Sequence, residues 1–192
     1  GLLCSGVMQG KEATCALLSE RVPTTTVITL DEASKRLAQK YFRSHSPASL
    51  EDFTWWSGFP KMQCKKAIEG IASELEEVLV ESTPMYLYRN NFEATDYAKT
   101  MHLLPPYDEY LIGYKSRWVA LDKKHEAKAH NKFGIFKPVI LHEGRVIGNW
   151  KASIDKQATN LTTDLFTEKT KVRKQSLQEA TDQLVRFCKI NR

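Results

Sequence analysis

No segment of this 192-residue chain approaches the roughly 18 consecutive apolar residues that a bilayer-spanning helix needs. The opening residues, from Gly1 to Lys11, lack a positively charged start and a long apolar stretch, so no secretion signal is expected. The four cysteines (Cys4, Cys15, Cys64 and Cys188) form no C-x-x-C pair. Reduced, partly buried thiols in a cytoplasmic protein are the simplest reading. The five histidines contain no H-E-x-x-H, and His125 and His130 are five apart, which puts them on different helix faces, so no metal site is expected. Nucleophile-elbow, Walker, Rossmann and kinase signatures are all missing, and no cofactor is expected.

What is present is a folded chain with a lopsided charge. At 42% hydrophobic and 27% charged, it has material for a real core in one domain or two small ones. Its formal net charge is +5. Residues 1–114 carry 11 basic and 15 acidic side chains, whereas residues 115–192 carry 17 and 8, a net +9. Such a split suits contact with a polyanion, most simply nucleic acid; a solvated basic surface without a partner would look the same.

Three blocks follow from the pattern. Residues 1–22 read as a hairpin, with arms Leu2 to Ser5 and Thr14 to Leu18 around Gly6 and Gly10. Two strands cannot bury themselves, so this block reads as the wing of a preceding unit. Gly1 and the immediate apolar Leu2-Leu3-Cys4 suggest a piece of a longer polypeptide or a trimmed form. Pro23 and Thr24-Thr25-Thr26 make a short linker.

Residues 29–92 hold the clearest order. Thr29 and Glu32 form a capping-box signature ahead of apolar Leu30, Ala33, Leu37, Ala38, Tyr41 and Phe42 on one helical face. Ser46-Pro47 breaks that helix. Ser49 and Asp52 open a short second helix through Phe53, Trp55 and Trp56, and Gly58 ends it. Of the two tryptophans, one is expected in the core and the other partly exposed. Pro60 starts a third helix to about Ser73, with Cys64, Ala67, Ile68 and Ile71 inward. Val78 to Val80 and Met85 to Tyr88 form a hairpin joined by Glu81-Ser82-Thr83-Pro84. Helix, short helix, glycine turn, helix and hairpin is the order of a winged helix-turn-helix.

Residues 101–192 read as a small, β-rich, antiparallel and barrel-like domain with a closing C-terminal helix. Ile135 to His142 and Arg145 to Ile154 flank the Glu143-Gly144 turn, Gln157 to Phe166 makes a third strand, and Lys174 to Ile190 is amphipathic. The fold class is therefore α+β.

The third helix is the one a helix-turn-helix offers to the major groove. Its outward Lys61, Gln63, Lys65 and Lys66 are candidate DNA contacts, joined by Lys115, Arg117 and Lys132 in the basic half. Against this, residues 30–92 are nearly neutral, with 8 basic and 9 acidic side chains. Asp108 and Glu109 are adjacent carboxylates, which point in different directions in helix or strand and so do not imply a catalytic pair. An ion pair with Arg or Lys that fixes the domain is the favoured reading. On it, Asp108→Asn lowers thermal stability more than DNA affinity.

The segment His102-Leu103-Leu104-Pro105-Pro106-Tyr107-Asp108-Glu109-Tyr110-Leu111-Ile112-Gly113-Tyr114-Lys115-Ser116-Arg117 resembles the LLPxxDEYLLGYxxR segment of a bacterial family of winged-helix DNA-binding proteins. That family includes the AlkZ and AlkX (YcaQ) DNA glycosylases. Gly134 to Leu141 and Gly144 to Trp150 resemble its glycine-hairpin-tryptophan pattern, Gly1 to Gly6 its second wing, and Asp52 to Gly58 its last helix-turn-helix. The resemblance marks Asp108, Glu109, Tyr110, Gly113, Tyr114 and Trp150 as motif residues. It implies tandem winged helices, double-stranded DNA as partner, and repair of alkylated or crosslinked bases. It also implies that catalysis rests on a Gln-x-Gln or Gln-x-Asp motif in an N-terminal part. No such motif occurs here, so no catalytic residue is assigned and the chain itself is expected to be inactive. A non-enzymatic transcription regulator or protein-interaction module is the alternative. The sequence does not specify an oligomeric state.

Overall fold

The computed structural model describes residues 2–22, 27–89, 100–154, 159–167 and 172–190. Pro23 to Thr26 and Gln157 lie outside them, as does the end of the second block beyond Arg89.

The first hairpin pairs β1 (Leu3–Ser5) with β2 (Cys15–Leu17) in antiparallel register, Cys4 opposite Ala16. Its second arm is shorter than expected. At Leu18, the expected end of that arm, the chain enters a helical turn, α1 (Leu18–Arg21), for which the sequence carries no expectation. The described cysteines Cys4, Cys15 and Cys64 are free thiols.

Three helices then form around one core. Helix α2 (Leu30–His45) starts at Thr29, whose side chain accepts the Glu32 backbone N–H. The reciprocal half of that box is replaced by an ion pair, because the Glu32 carboxylate takes the Arg36 Nε at 2.6 Å. Helix α3 (Leu50–Ser57) has the complete capping box, Ser49 with Asp52, and ends at Gly58 in the left-handed region with φ of 69°. Helix α4 (Lys61–Glu69) stops at Gly70, earlier than the expected Ser73, and a 3-10 turn spans Ala72–Glu74. Ala38, Tyr41 and Phe42 from α2, Phe53 from α3, and Cys64, Ala67 and Ile68 from α4 are buried together with Ile71 and Leu75. Leu30 departs from the expected face: it sits in the first turn of α2 and is 63% exposed. Trp56 packs against the core while Trp55 is exposed, as the adjacent pair suggested.

Strands β3 (Leu75–Val80) and β4 (Thr83–Tyr88) follow as an antiparallel hairpin. The turn is only Glu81-Ser82, both with positive φ, which is the geometry that twists with the strands. Pro84 therefore lies within β4, opposite Leu79. Next to the closing Val80–Thr83 pair it holds a position whose nitrogen points away from the ladder, so no hydrogen bond is lost.

The remaining chain forms a four-stranded antiparallel sheet in sequential order: β5 (Met101–Leu104), β6 (Val139–His142), β7 (Arg145–Ile154) and β8 (Thr159–Leu165). Between β5 and β6 lie helix α5 (Glu109–Ile112), a 3-10 turn at Lys123–His125 and helix α6 (Glu126–Ala129). Helix α7 (Lys174–Ile190) closes the module. Strand β5 was not foreseen, and β6 begins four residues later than expected. The barrel-like expectation is corrected: no sheet among the described residues closes on itself. Four strands are too few to wrap a filled interior. They are covered from both sides instead. Val139, Leu141 and Val146 pack with Leu111, Leu121, Ala129 and Phe166, while Met101 and Ile140 pack with Ala180 of α7. Strand β6 is thus buried on both faces, which accounts for its unbroken Val-Ile-Leu run.

A Cβ at position 58 would meet open space, so only the backbone opposes a side chain there. Gly58→Ala is expected to cost about 1 kcal/mol, read as a lowered urea midpoint. An unchanged midpoint would mean that the turn between α3 and α4 does not depend on the left-handed conformation.

Candidate functional site

The densest polar construction joins the helical unit to the sheet module, and Asp52 is its centre. Its residue is 2% exposed. Oδ2 accepts the Ser49 backbone N–H at 2.9 Å and the Ser49 hydroxyl at 2.7 Å. Oδ1 accepts the backbone N–H groups of Lys115 at 2.9 Å and Ser116 at 3.1 Å. A buried carboxylate is tolerated because charge-strengthened hydrogen bonds fill its acceptor positions.

Neighbouring contacts reinforce the joint. Tyr41 donates its hydroxyl to the Gly113 carbonyl at 3.0 Å, and Tyr114 donates to the His45 carbonyl at 2.9 Å. Burial raises both phenols above the ordinary tyrosine range, so they stay neutral donors. The His45 ring stacks on Tyr41 with centroids 4.6 Å apart, and its Nε2 lies 3.5 Å from Glu109. A Cβ on Gly113 would come within 2.7 Å of both the Glu109 carbonyl oxygen and the His45 ring. Only glycine fits between them.

The residues of the resemblance segment thus meet at the joint, where several of them make structural hydrogen bonds. Asp108 caps α5 by accepting the Tyr110 backbone N–H at 2.9 Å. Glu109 faces His45. Among the described residues neither forms the Arg or Lys pair expected of it. Tyr110 donates its hydroxyl to the Gly144 carbonyl in the β6–β7 turn at 2.9 Å. Trp150 reaches the Leu104 carbonyl from its indole N–H at 2.8 Å. Arg117 sends Nε to the Leu111 carbonyl at 2.7 Å and lies over the Phe136 ring at 5.0 Å. Burial lowers its guanidinium from the ordinary value. A cleft of about 130 Å³ lies at the joint, lined by Ser46, Asp52, Tyr110, Tyr114 and Arg117 among others.

The candidate DNA contacts of α4 sit elsewhere and are engaged. Lys61 reaches Glu51 at 2.9 Å, Lys66 reaches Asp31 at 2.6 Å, and Lys65 is 4.0 Å from Glu69. The hydrogen bonds from Lys66 and Lys61 hold the Asp31 and Glu51 carboxyls below the usual range. Gln63 is half-buried, not outward, and its amide nitrogen has no hydrogen-bond partner among the described residues. By contrast the exposed Lys123, Lys132, Lys137 and Lys151 of the sheet module are in no ion pair among the described residues. Among those residues no group of three or more His, Cys, Asp or Glu side chains is placed to hold a metal. No helix there is long and apolar enough to cross a membrane.

The profile of the AlkZ-like DNA glycosylases matches residues 1–187. The chain belongs to the AlkZ-like DNA glycosylase family. It is 28% identical over 160 residues to an interstrand DNA cross-link repair glycosylase of Streptomyces sahachiroi, covering 79% of this chain and 43% of that protein. The solved structure of the Streptomyces sahachiroi DNA glycosylase AlkZ superposes with a TM-score of 0.79 at 25% identity, covering 93% of this chain and 49% of that one. The chain therefore spans somewhat under half the length of these AlkZ-like relatives.

Sequence reasoning missed Asp52 as the centre of the joint. Its helix-capping role was legible, but its second set of partners lies 63 and 64 residues away. Asp52→Ala leaves buried backbone donors unpaired and is expected to cost about 3 kcal/mol. Asp108→Ala removes one helix cap and is expected to cost about 1 kcal/mol. Denaturant melts of the two variants check the order. Equal losses would mean that Asp52 is no more than a cap.

Proposed function

We propose that this chain is the DNA-holding portion of a DNA-repair glycosylase and does not itself carry the base-excising residues. In this reading residues 1–22 are the wing of a preceding unit, residues 29–92 a winged helix-turn-helix, and residues 101–192 a sheet module that carries most of the phosphate contacts. The order α2, α3, left-handed Gly58, α4 and the β3–β4 hairpin supports the winged-helix assignment. The Streptomyces relative's name supports damaged or crosslinked duplex DNA as the substrate of the whole protein. There, a base is exposed and water adds to the sugar as the glycosidic bond breaks.

The observation that carries the proposal is the imbalance in charge pairing. The three lysines of α4 each lie within 4.0 Å of a carboxylate, whereas Lys123, Lys132, Lys137 and Lys151 are in no ion pair among the described residues, although Asp164 shares a concavity with Lys137 and Lys151, within a half of net charge +9. A phosphate approaching α4 must first displace a carboxylate. Exposed pairs are worth only about 0–1 kcal/mol, so α4 can still contribute, but each contact gains less there. Lys115, beside Lys61 and the exposed Trp55, links the two surfaces.

Fluorescence anisotropy with labelled duplex across a salt series tests this. Log affinity is expected to fall linearly with log salt, by roughly 0.9 per phosphate contact. Lys137→Gln with Lys151→Gln is expected to shallow that slope by about 2 and Lys65→Gln with Lys66→Gln by under about 1. The reverse order would move the interface to α4. No binding at low salt would overturn the DNA-holding assignment.

A further inference from the structure

The loop after α6 is built to hold an aromatic ring in solvent. At its base His130 and Phe136 form a β-bridge, with rings stacked 4.9 Å apart. The Lys137 N–H donates to the Ala129 carbonyl at 2.9 Å just below. Inside the loop, Asn131 Oδ1 accepts the backbone N–H groups of Phe133 and Ile135, both at 3.0 Å. The Gly134 N–H donates to the Asn131 carbonyl and the Asn131 N–H to the Ile135 carbonyl, each at 3.1 Å. Gly134 takes φ of 77°, which a side chain would resist. The backbone N–H groups of Asn131, Phe133, Gly134 and Ile135 are thus satisfied within the loop itself. Its base is clamped further, since Phe136 is packed by Tyr107 at 6.1 Å and by the Arg117 guanidinium at 5.0 Å.

On this pinned backbone Phe133 is 78% exposed, and Ile135 beyond the glycine is 50% exposed. Lys132 Nζ lies 5.2 Å from the Phe133 ring centroid. Residues 123–137 carry five lysines against a single glutamate. A lone exposed apolar residue on a surface is ordinary. One fixed at the tip of a self-bonded loop, flanked by cations, is a different object. A basic surface draws the phosphate backbone in, and a rigid ring needs no ordering before it stacks on a base or enters a gap between bases.

We propose that Phe133 is a stacking wedge that enters the base stack of bound DNA where a base is missing or displaced, with Lys132 on the adjacent phosphate. This rests on the reading that the chain holds DNA. Bases at damaged positions are the least costly to unstack, so the wedge favours DNA with an interrupted stack.

The test measures anisotropy binding of the whole chain to an intact duplex and to the same duplex with one abasic position. The chain is expected to bind the abasic duplex roughly tenfold more tightly, the scale of one base–aromatic stack. Phe133→Ala is expected to abolish that preference while leaving intact-duplex affinity and the salt slope within about twofold of the parent, and Phe133→Tyr, which keeps the ring, to retain the preference. The ring is exposed, so unchanged melting of Phe133→Ala verifies that folding is untouched. A preference surviving in Phe133→Ala, no preference in the parent chain, or equal loss on both duplexes overturns the wedge while the DNA-holding reading stands. Failure to bind either duplex overturns both.

Discussion

The helical unit and the sheet module are tied together where one buried carboxylate divides its two oxygens between them. Asp52 gives Oδ2 to the start of its own helix and Oδ1 to the chain that leads into the sheet module. Burying a charge is costly unless it is well bonded, so neither set of donors can leave without exposing that cost. The cap of α3 and the attachment of Lys115 and Ser116 therefore depend on each other. Tyr41 and Tyr114 exchange hydroxyl bonds across the same joint in opposite directions.

This construction gives the acid, tyrosine and glycine of the segment around Asp108 structural partners. Three of its polar side chains are engaged in this way: Asp108 with a helix start, Tyr110 with the β6–β7 turn, Arg117 with two carbonyls and a ring. The joint sets the relative placement of a nearly neutral helical unit and a strongly basic sheet module. On the proposal that the chain holds DNA, orientation of the basic face matters as much as its charge.

The helices were legible in the sequence because their signals are local. Thr29, Ser49 and Gly58 act within four residues of themselves, and the spacing of Ala38, Tyr41 and Phe42 declares a face. The β6–β7 hairpin was legible from Glu143-Gly144 for the same reason. Strand β5 was not, since four residues before Pro105-Pro106 are too few to show alternation. The openness of the sheet was also hidden, because strand patterns do not say whether edges meet. At the joint, the residue types were conspicuous but their roles were not: an Asp and a Tyr in helices find their second partners more than 60 residues away. Charge counts located the basic half, yet only three-dimensional neighbours showed that the α4 lysines are already matched.

Gly113 carries one more consequence. The space beside its Cα is already filled by a carbonyl of its own turn and by the ring of His45. That ring lies flat on Tyr41, and Tyr41 is buried among Phe42, Phe53 and Trp56. A single methyl group at this point would push through the imidazole into the aromatic centre of the helical unit. The position works as a keyhole, where the smallest possible lesion in one module is felt as mispacking in the other.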